Sequence, residues 1–390
     1  MEFHSPVCLP LWCFSTRSNG PQPLAGVFMS IEFIGYIATQ PGSEIHPRSG
    51  ATIQPDYVKT VAKAHEDAGF DRALIAYHSN SPDSTLVAAH AASVTSTLKF
   101  LVAHRPGFIS PTVAARQFAT LDVFNGGRTA VHIITGGDDK ELRADGSHIG
   151  KDERYARSDE YLSVVRQEWT NDKPFDHQGT YYQLEGAHSL VKSPQQPHIP
   201  LYFGGSSAAA IAVAGKHADV YALWGETYEQ VRDVVKQVRA EAAKHGPTIR
   251  FSLSLRPILA DTEEQAWARA DSILEKAKAL ADRNGFVRRE PPNEGSRRLL
   301  AAAAQGSRLD KRLWTGIAGL LGAQGNSTSL VGTPEQVAEA LLDYYDLGIT
   351  TFLIRGFDPL EDAIDYGKKL IPLTRALVAQ RERQAREQVA

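Results

Sequence analysis

The sequence predicts an α/β protein folded as a (β/α)8 TIM barrel, on three observations. From residue 31 onward, short β-branched or aromatic runs alternate with longer amphipathic segments, the pattern of parallel strands joined by crossover helices. Eight such runs occur, each followed by a helical segment, which is the count that closes a barrel. No GxGxxG turn follows the first run, which disfavours the doubly wound open sheet of dinucleotide-binding folds.

The predicted strands cover residues 31–38, 73–77, 98–104, 129–135, 200–204, 220–224, 249–259 and 350–355. Each is apolar enough to be buried on both faces, as a parallel barrel requires. Helices are predicted over 56–68, 84–93, 112–124, 155–170, 208–214, 228–244, 262–280 and 334–345, and a ninth over 359–377 closes the fold. Two connections exceed ordinary barrel loops. The stretch 171–198, with Gly179 and several prolines, reads as a hairpin excursion. The stretch 279–311, with Arg288, Arg289, Arg297 and Arg298 among prolines and glycines, would hang over the barrel mouth as a lid, or else be a solvated surface loop.

Residues 29–379 therefore read as one barrel domain, and 380–390 as a polar tail that extends the last helix. Residues 1–28 read as an N-terminal extension, disordered or upstream of a natural start at Met29. The only two cysteines, Cys8 and Cys13, lie in that extension, so a disulfide framework and cysteine-based metal sites are excluded, and a cytoplasmic location is the default expectation. Acidic residues number 45 and basic ones 42, with no basic block, so nucleic acid and anionic membranes are not expected partners. No apolar run approaches the roughly 20 residues needed to span a bilayer.

Small and polar residues gather at the predicted strand ends. Gly204, Gly205, Ser206 and Ser207 lead from the fifth strand into a helix, a phosphate cradle of close backbone, hydroxyl donors and helix N–H groups. The bland alternative is a serine-capped turn. Histidines show no HExxH spacing, so no zinc site is expected. His78 and His104 lie near strand ends, whereas His132, inside the fourth strand, reads as a core residue. Strand-end carboxylates are few, chiefly Asp138, Asp139 and Glu226, which suits a site where a bound cofactor performs the chemistry.

The segments LKFLVAHRPG at 98–107, SPTVAARQ at 110–117, TGGDD at 135–139, ERY at 153–155, PLYFGGSS at 200–207 and DVYALWGE at 219–226 together resemble the alkanesulfonate monooxygenases of the bacterial luciferase-like superfamily. The resemblance runs from about residue 31 to 377. It implies a luciferase-like TIM barrel that takes reduced FMN from a separate NAD(P)H-dependent flavin reductase, reacts it with O2 and oxygenates a small anionic organosulfur substrate, in a homo-oligomer. By the same resemblance Tyr155, Gly204, Gly205, Ser206 and Ser207 hold the FMN phosphate, and His104, Thr135 and Gly136 lie beside the flavin ring. Trp224 lies near flavin and substrate, and His78 or His104 handles a proton.

The substrate end departs from the family pattern. Where Arg-Leu-His is usual in the seventh strand this chain has Ser254, Leu255 and Arg256, and where the eighth ends in Ser-Gly-Tyr it has Arg355, Gly356 and Phe357. A cysteine familiar near the second strand is Ser81, and a usual leucine is His104. Arg256 and Arg355 either clamp a sulfonate between them or mark a different substrate, such as a sulfone. For Arg355 the structural alternative is a salt bridge to Asp358 or Glu361. A deazaflavin-dependent dehydrogenase and a non-catalytic flavin-binding protein are the alternatives from other classes.

Overall fold

The computed structural model describes residues 31–389 apart from Pro247 and Pro292; the expected extension at 1–28 lies outside the described residues. Eight parallel strands close on themselves: β1 (Glu32–Tyr36), β2 (Arg72–Ile75), β3 (Lys99–His104), β4 (Thr129–Ile133), then, after a hairpin of β5 (Phe175–Gln178) and β6 (Gln183–Ala187), β7 (Leu201–Gly204), β8 (Val220–Trp224) and β9 (Arg250–Leu259). Three further strands, β10 (Arg308–Leu309), β11 (Leu313–Trp314) and β12 (Ser329–Gly332), precede the last barrel strand, β13 (Thr351–Ile354). Closure is made by β13 pairing with β9 on one side and β1 on the other. The sheet is a closed (β/α)8 barrel, as the alternation of apolar runs predicts.

Alternation within each strand divides two cores. Ile34, Leu101, Ala130, Tyr202 and Val220 fill the lumen floor as one layer, and their outward neighbours Phe33, Phe100, Val102, Val131 and Phe203 pack under the helices in the main core. The helices begin where the sequence supplies caps. Thr227 and Gln230, and again Thr333 and Gln336, form reciprocal capping boxes at the helices Tyr228–Ala242 and Pro334–Asp346.

Three features depart from the expected element list. The strand expected at 249–259 is β9, but only its residues Arg250–Leu255 pair within the barrel; Arg256 to Leu259 pair instead with β12. The second long connection is largely ordered, with the helix Glu294–Gln305, the β10–β11 hairpin and the short helix Gly316–Leu321. The closing helix is broken into Pro359–Asp365, one wide turn and Ile371–Val389. No helix among the described residues is long and apolar enough to cross a membrane.

Burial in the wall sets a pH response. His65, His104 and His132 are each pushed by burial down to about 4, with the Val61 carbonyl partly opposing the shift at His65. An unfolded imidazole titrates near 6.5, so between about pH 6.5 and 4 the unfolded chain binds more protons than the folded one. Stability is therefore full above that window and falls as pH drops through it. Thermal melts at pH 7.5 and 5.0 are expected to show a lower Tm at pH 5.0, and His104→Leu should flatten that slope; equal melting temperatures would refute it.

Candidate active site

The C-terminal pole is built around the turn after β7. Gly205 has φ of +139°, and a Cβ there would lie 2.8 Å from Ala210 Cβ and 3.1 Å from the Tyr155 hydroxyl. The Tyr221 hydroxyl donates to the Gly205 carbonyl. Because carbonyl and following N–H point oppositely across a trans peptide, the Ser206 N–H faces the other way. Ser207 caps the ten-residue helix Ala208–His217 by accepting from the Ala210 N–H at 3.3 Å. Tyr155 reaches the turn from the helix Lys151–Thr170, and burial raises its phenol above the ordinary value. Close backbone, two hydroxyls, a phenol and a helix N-terminus converge here, which suits an anion of phosphate size.

Above the floor layer the lumen is less tightly filled. The inward positions Leu74, Ala76, His132, Ile134, Ala222 and Leu353 keep accessible surface, while most of their outward neighbours are buried. His132 faces Gly204, its Cε1 3.9 Å from where a Cβ would stand, and its Nδ1 is buried without a partner. The sequence reading left His132 in the core; counting by twos along β4 from Ile134 identifies it as an inward residue.

His104 and Thr135 take the other side of their strands, contrary to the expected place beside the flavin ring. His104 packs edge-on against Phe118 and shares a 2.7 Å hydrogen bond with Tyr161 between barrel and helices. The Thr135 hydroxyl lies 3.4 Å from that of Ser158 on the helix outside. Strand alternation is the reason: the inward neighbours are Ala103 and Ile134. Gly136, with φ of +96°, turns beneath Leu142. His78 stands at the exposed rim, 3.5 Å from Glu141. Hydrogen bonds from His78 and Arg105 hold Glu141 at about 2 against the effect of its burial. Arg105 itself is buried over the Tyr77 ring, 2.9 Å from Glu141, and the sequence reading did not single it out.

Arg256 and Arg355 are brought together, but around a carboxylate. Arg256 Nη2 donates to Glu44 Oε2 at 2.8 Å, and Arg355 Nη2 to Glu44 Oε1 at 3.0 Å. Neither Asp358 nor Glu361 is the partner of Arg355. Burial pushes the Glu44 carboxyl up, and the two guanidinium charges outweigh it and hold it at about 2. Glu44 was not singled out in the sequence, and its position on an irregular loop carried no signal.

The second insertion crosses this pole. Gly295 lies against the Trp224 ring, where a Cβ would be 2.8 Å from Cζ3, and Asn293 lies beside Gly137 at the end of β4. Arg298 grips the buried Glu226 at the end of β8 through two bonds of 2.8 and 2.5 Å. Removing one partner of such a pair leaves the other unpaired, at about 3 kcal/mol. Arg298→Ala is expected to raise hydrogen exchange across Glu294–Gln305 at least tenfold with the barrel strands unchanged; unaltered protection there would refute this latch. Among the described residues, no three His, Cys, Asp or Glu converge to hold a metal ion.

Solved structures share this architecture. A riboflavin lyase, crystallised with modified FMN and riboflavin, superposes with a TM-score of 0.74 at 21% identity over 89% of this chain and 92% of its own. A long-chain alkane monooxygenase gives 0.71 at 20% identity over 89% and 91%, and the EDTA monooxygenase from Chelativorans sp. BNC1 gives 0.71 at 19% over 89% and 94%. At such identities the likeness is one of fold. The sequence profile of the luciferase-like monooxygenases matches residues 31–351, nearly the whole barrel, and the chain therefore belongs to the luciferase-like monooxygenase family.

Proposed function

We propose that this protein is a reduced-FMN- and O2-dependent monooxygenase that cleaves a carbon–sulfur bond in a small organosulfur compound, supplied with flavin by an NAD(P)H-dependent FMN reductase. The observation that carries the reading is the Gly204–Gly205–Ser206–Ser207 turn, whose Gly205 leaves no room for a side chain between Ala210 and the Tyr155 hydroxyl, beside inward residues that keep part of their surface accessible. Reduced FMN with O2 supplies one oxygen atom to the substrate, the other leaving as water; from a sulfonate the products are an aldehyde and sulfite.

The chain's part is holding, orienting and keeping water out. Ser206, Ser207 and the Tyr155 hydroxyl donate to the phosphate, and Gly205 lets it approach the backbone. Trp224 walls the pocket under the Glu294–Gln305 lid. His132 lines the inward wall beside Gly204. His78, at the rim, exchanges a proton with solvent and substrate, while His104 braces the wall through Tyr161. Cytoplasmic residence, the default that the cysteine count suggests, and homo-oligomeric assembly, which the family resemblance implies, belong to this reading.

Anaerobic titration should show uptake of reduced FMN in preference to oxidised FMN. Aerobic turnover with a flavin reductase, assayed across alkyl, sugar and aryl sulfonates for sulfite and across sulfones for sulfinate, should then yield an aldehyde together with the sulfur acid of the class that is cleaved. Flavin uptake without O2-dependent turnover points to a binding protein, and oxygen-independent turnover with a deazaflavin points to a dehydrogenase; either result overturns the monooxygenase reading. A sulfone as substrate is the second reading, and the Glu44 carboxylate between the two arginines favours it.

A further inference from the structure

The two arginines at the mouth do not form a free anion clamp. Arg256 is fully buried, its guanidinium 3.5 Å from the Phe357 ring centroid, with Nη2 shared between Glu44 and the Gly356 carbonyl at 3.0 Å. Arg355 rests over the Tyr36 ring at 5.3 Å, with 28% of its side chain exposed. Glu44, 23% exposed, occupies the position between them that a bound carboxylate or sulfonate would take. A small cavity runs beside this group, bounded by Tyr36, Ser43, Tyr57, Arg256, Arg355 and Tyr366.

Glu44 is held there by its loop. Thr39 Oγ1 donates to the Thr52 carbonyl at 2.7 Å, and His46 Nε2 lies 2.6 Å from Asp358 Oδ1. Asp358 is itself bound by Arg269 at 3.0 Å, and Arg269 also holds Asp362 at 2.6 Å. The next ring of charge is thus already paired, and the inner group carries two cations and one anion. Of the cations, only Arg355 is reachable.

From this arrangement we infer that Glu44 is a specificity-determining residue that selects an uncharged sulfur–oxygen group, a sulfone or sulfoxide, over a sulfonate. The inference rests on the proposed organosulfur reading and names its substrate class. An S=O oxygen of a neutral group accepts from Arg355 without adding charge. A sulfonate placed there would meet Arg355 and Glu44 together, and its remaining attraction, to Arg256, acts only from behind Glu44 because that guanidinium is fully buried; this residual attraction must offset the desolvation of the sulfonate's charge, a cost that a neutral S=O group does not incur.

Methanesulfonate and dimethyl sulfone are probes of nearly equal size that differ by one charge. They are to be titrated calorimetrically into the full chain under nitrogen, both with saturating reduced FMN and without flavin. The wild type is expected to bind the sulfone at least fivefold more tightly than the sulfonate. Glu44→Gln should tighten the sulfonate at least tenfold and leave the sulfone within twofold, and Glu44→Asp, which keeps the charge, should retain the wild-type order. A wild type that prefers the sulfonate overturns the inference with no variant needed, as does a Glu44→Gln that shifts both probes alike, or the failure of the sulfone to bind. Loss of reduced-FMN uptake would instead sink the monooxygenase reading, and the order of the probes on the flavin-free chain would still decide the role of Glu44.

Discussion

Gly205→Ala is expected to weaken reduced-FMN binding at least about 100-fold while leaving the barrel folded. The added methyl would stand 2.8 Å from Ala210 Cβ and 3.1 Å from the Tyr155 hydroxyl, so it enters the space where the helix N-terminus, Ser206 and the phenol converge. The backbone there has φ of +139°, a region that side chains avoid at about 1–3 kcal/mol. The strained turn must relax, and relaxation moves the N–H groups that receive the phosphate. Gly150→Ala is the control, since nothing lies within 4 Å of that position and its φ of −71° suits any residue. Anaerobic fluorescence titration of both variants decides the matter. Affinity within threefold of wild type for Gly205→Ala would remove the turn from the flavin site.

Arg256→Ala should be the most destabilising single change, at about 3–5 kcal/mol. Arg256 is the largest fully buried side chain. Its removal opens a cavity against Phe357, frees the Gly356 carbonyl and leaves Glu44 with Arg355 alone. The Glu44 carboxyl, at about 2 when folded, titrates near 4.3 when unfolded. Its contribution is therefore present above about pH 4.3 and is lost as pH falls toward 2. Urea unfolding at pH 7 should show the full deficit, and between pH 5 and 3 the difference from wild type should narrow. Arg256→Met, which restores volume but not charge, should recover part of the loss. A deficit below about 1 kcal/mol in Arg256→Ala would show that the pair contributes little.

Much of the barrel, and the turn proposed to hold the phosphate, were legible in the sequence, because both depend on neighbours a few residues away. A parallel strand is announced by its own apolar run, and a glycine–serine turn before a helix carries its anion-binding geometry within four residues. The parity of His104, Thr135 and His132 was also local information, since alternation along β3 and β4 decides which of them enters the lumen. The two-residue strands β10 and β11 gave no periodicity to detect, so the additional sheet edge was invisible.

By itself, then, the chain's order of residues determined the eight barrel strands, most of the helices between them and the glycine–serine turn after β7. Only the tertiary structure decided the charge of the mouth, because Glu44 meets Arg256 across 212 residues and Arg355 across 311. Those contacts exist only once β13 closes against β1 and brings the first loop over the last strand. A guanidinium in a sequence reads as a free cation; closure of the barrel places a carboxylate beside it, and the electrostatics of the site follow from that placement.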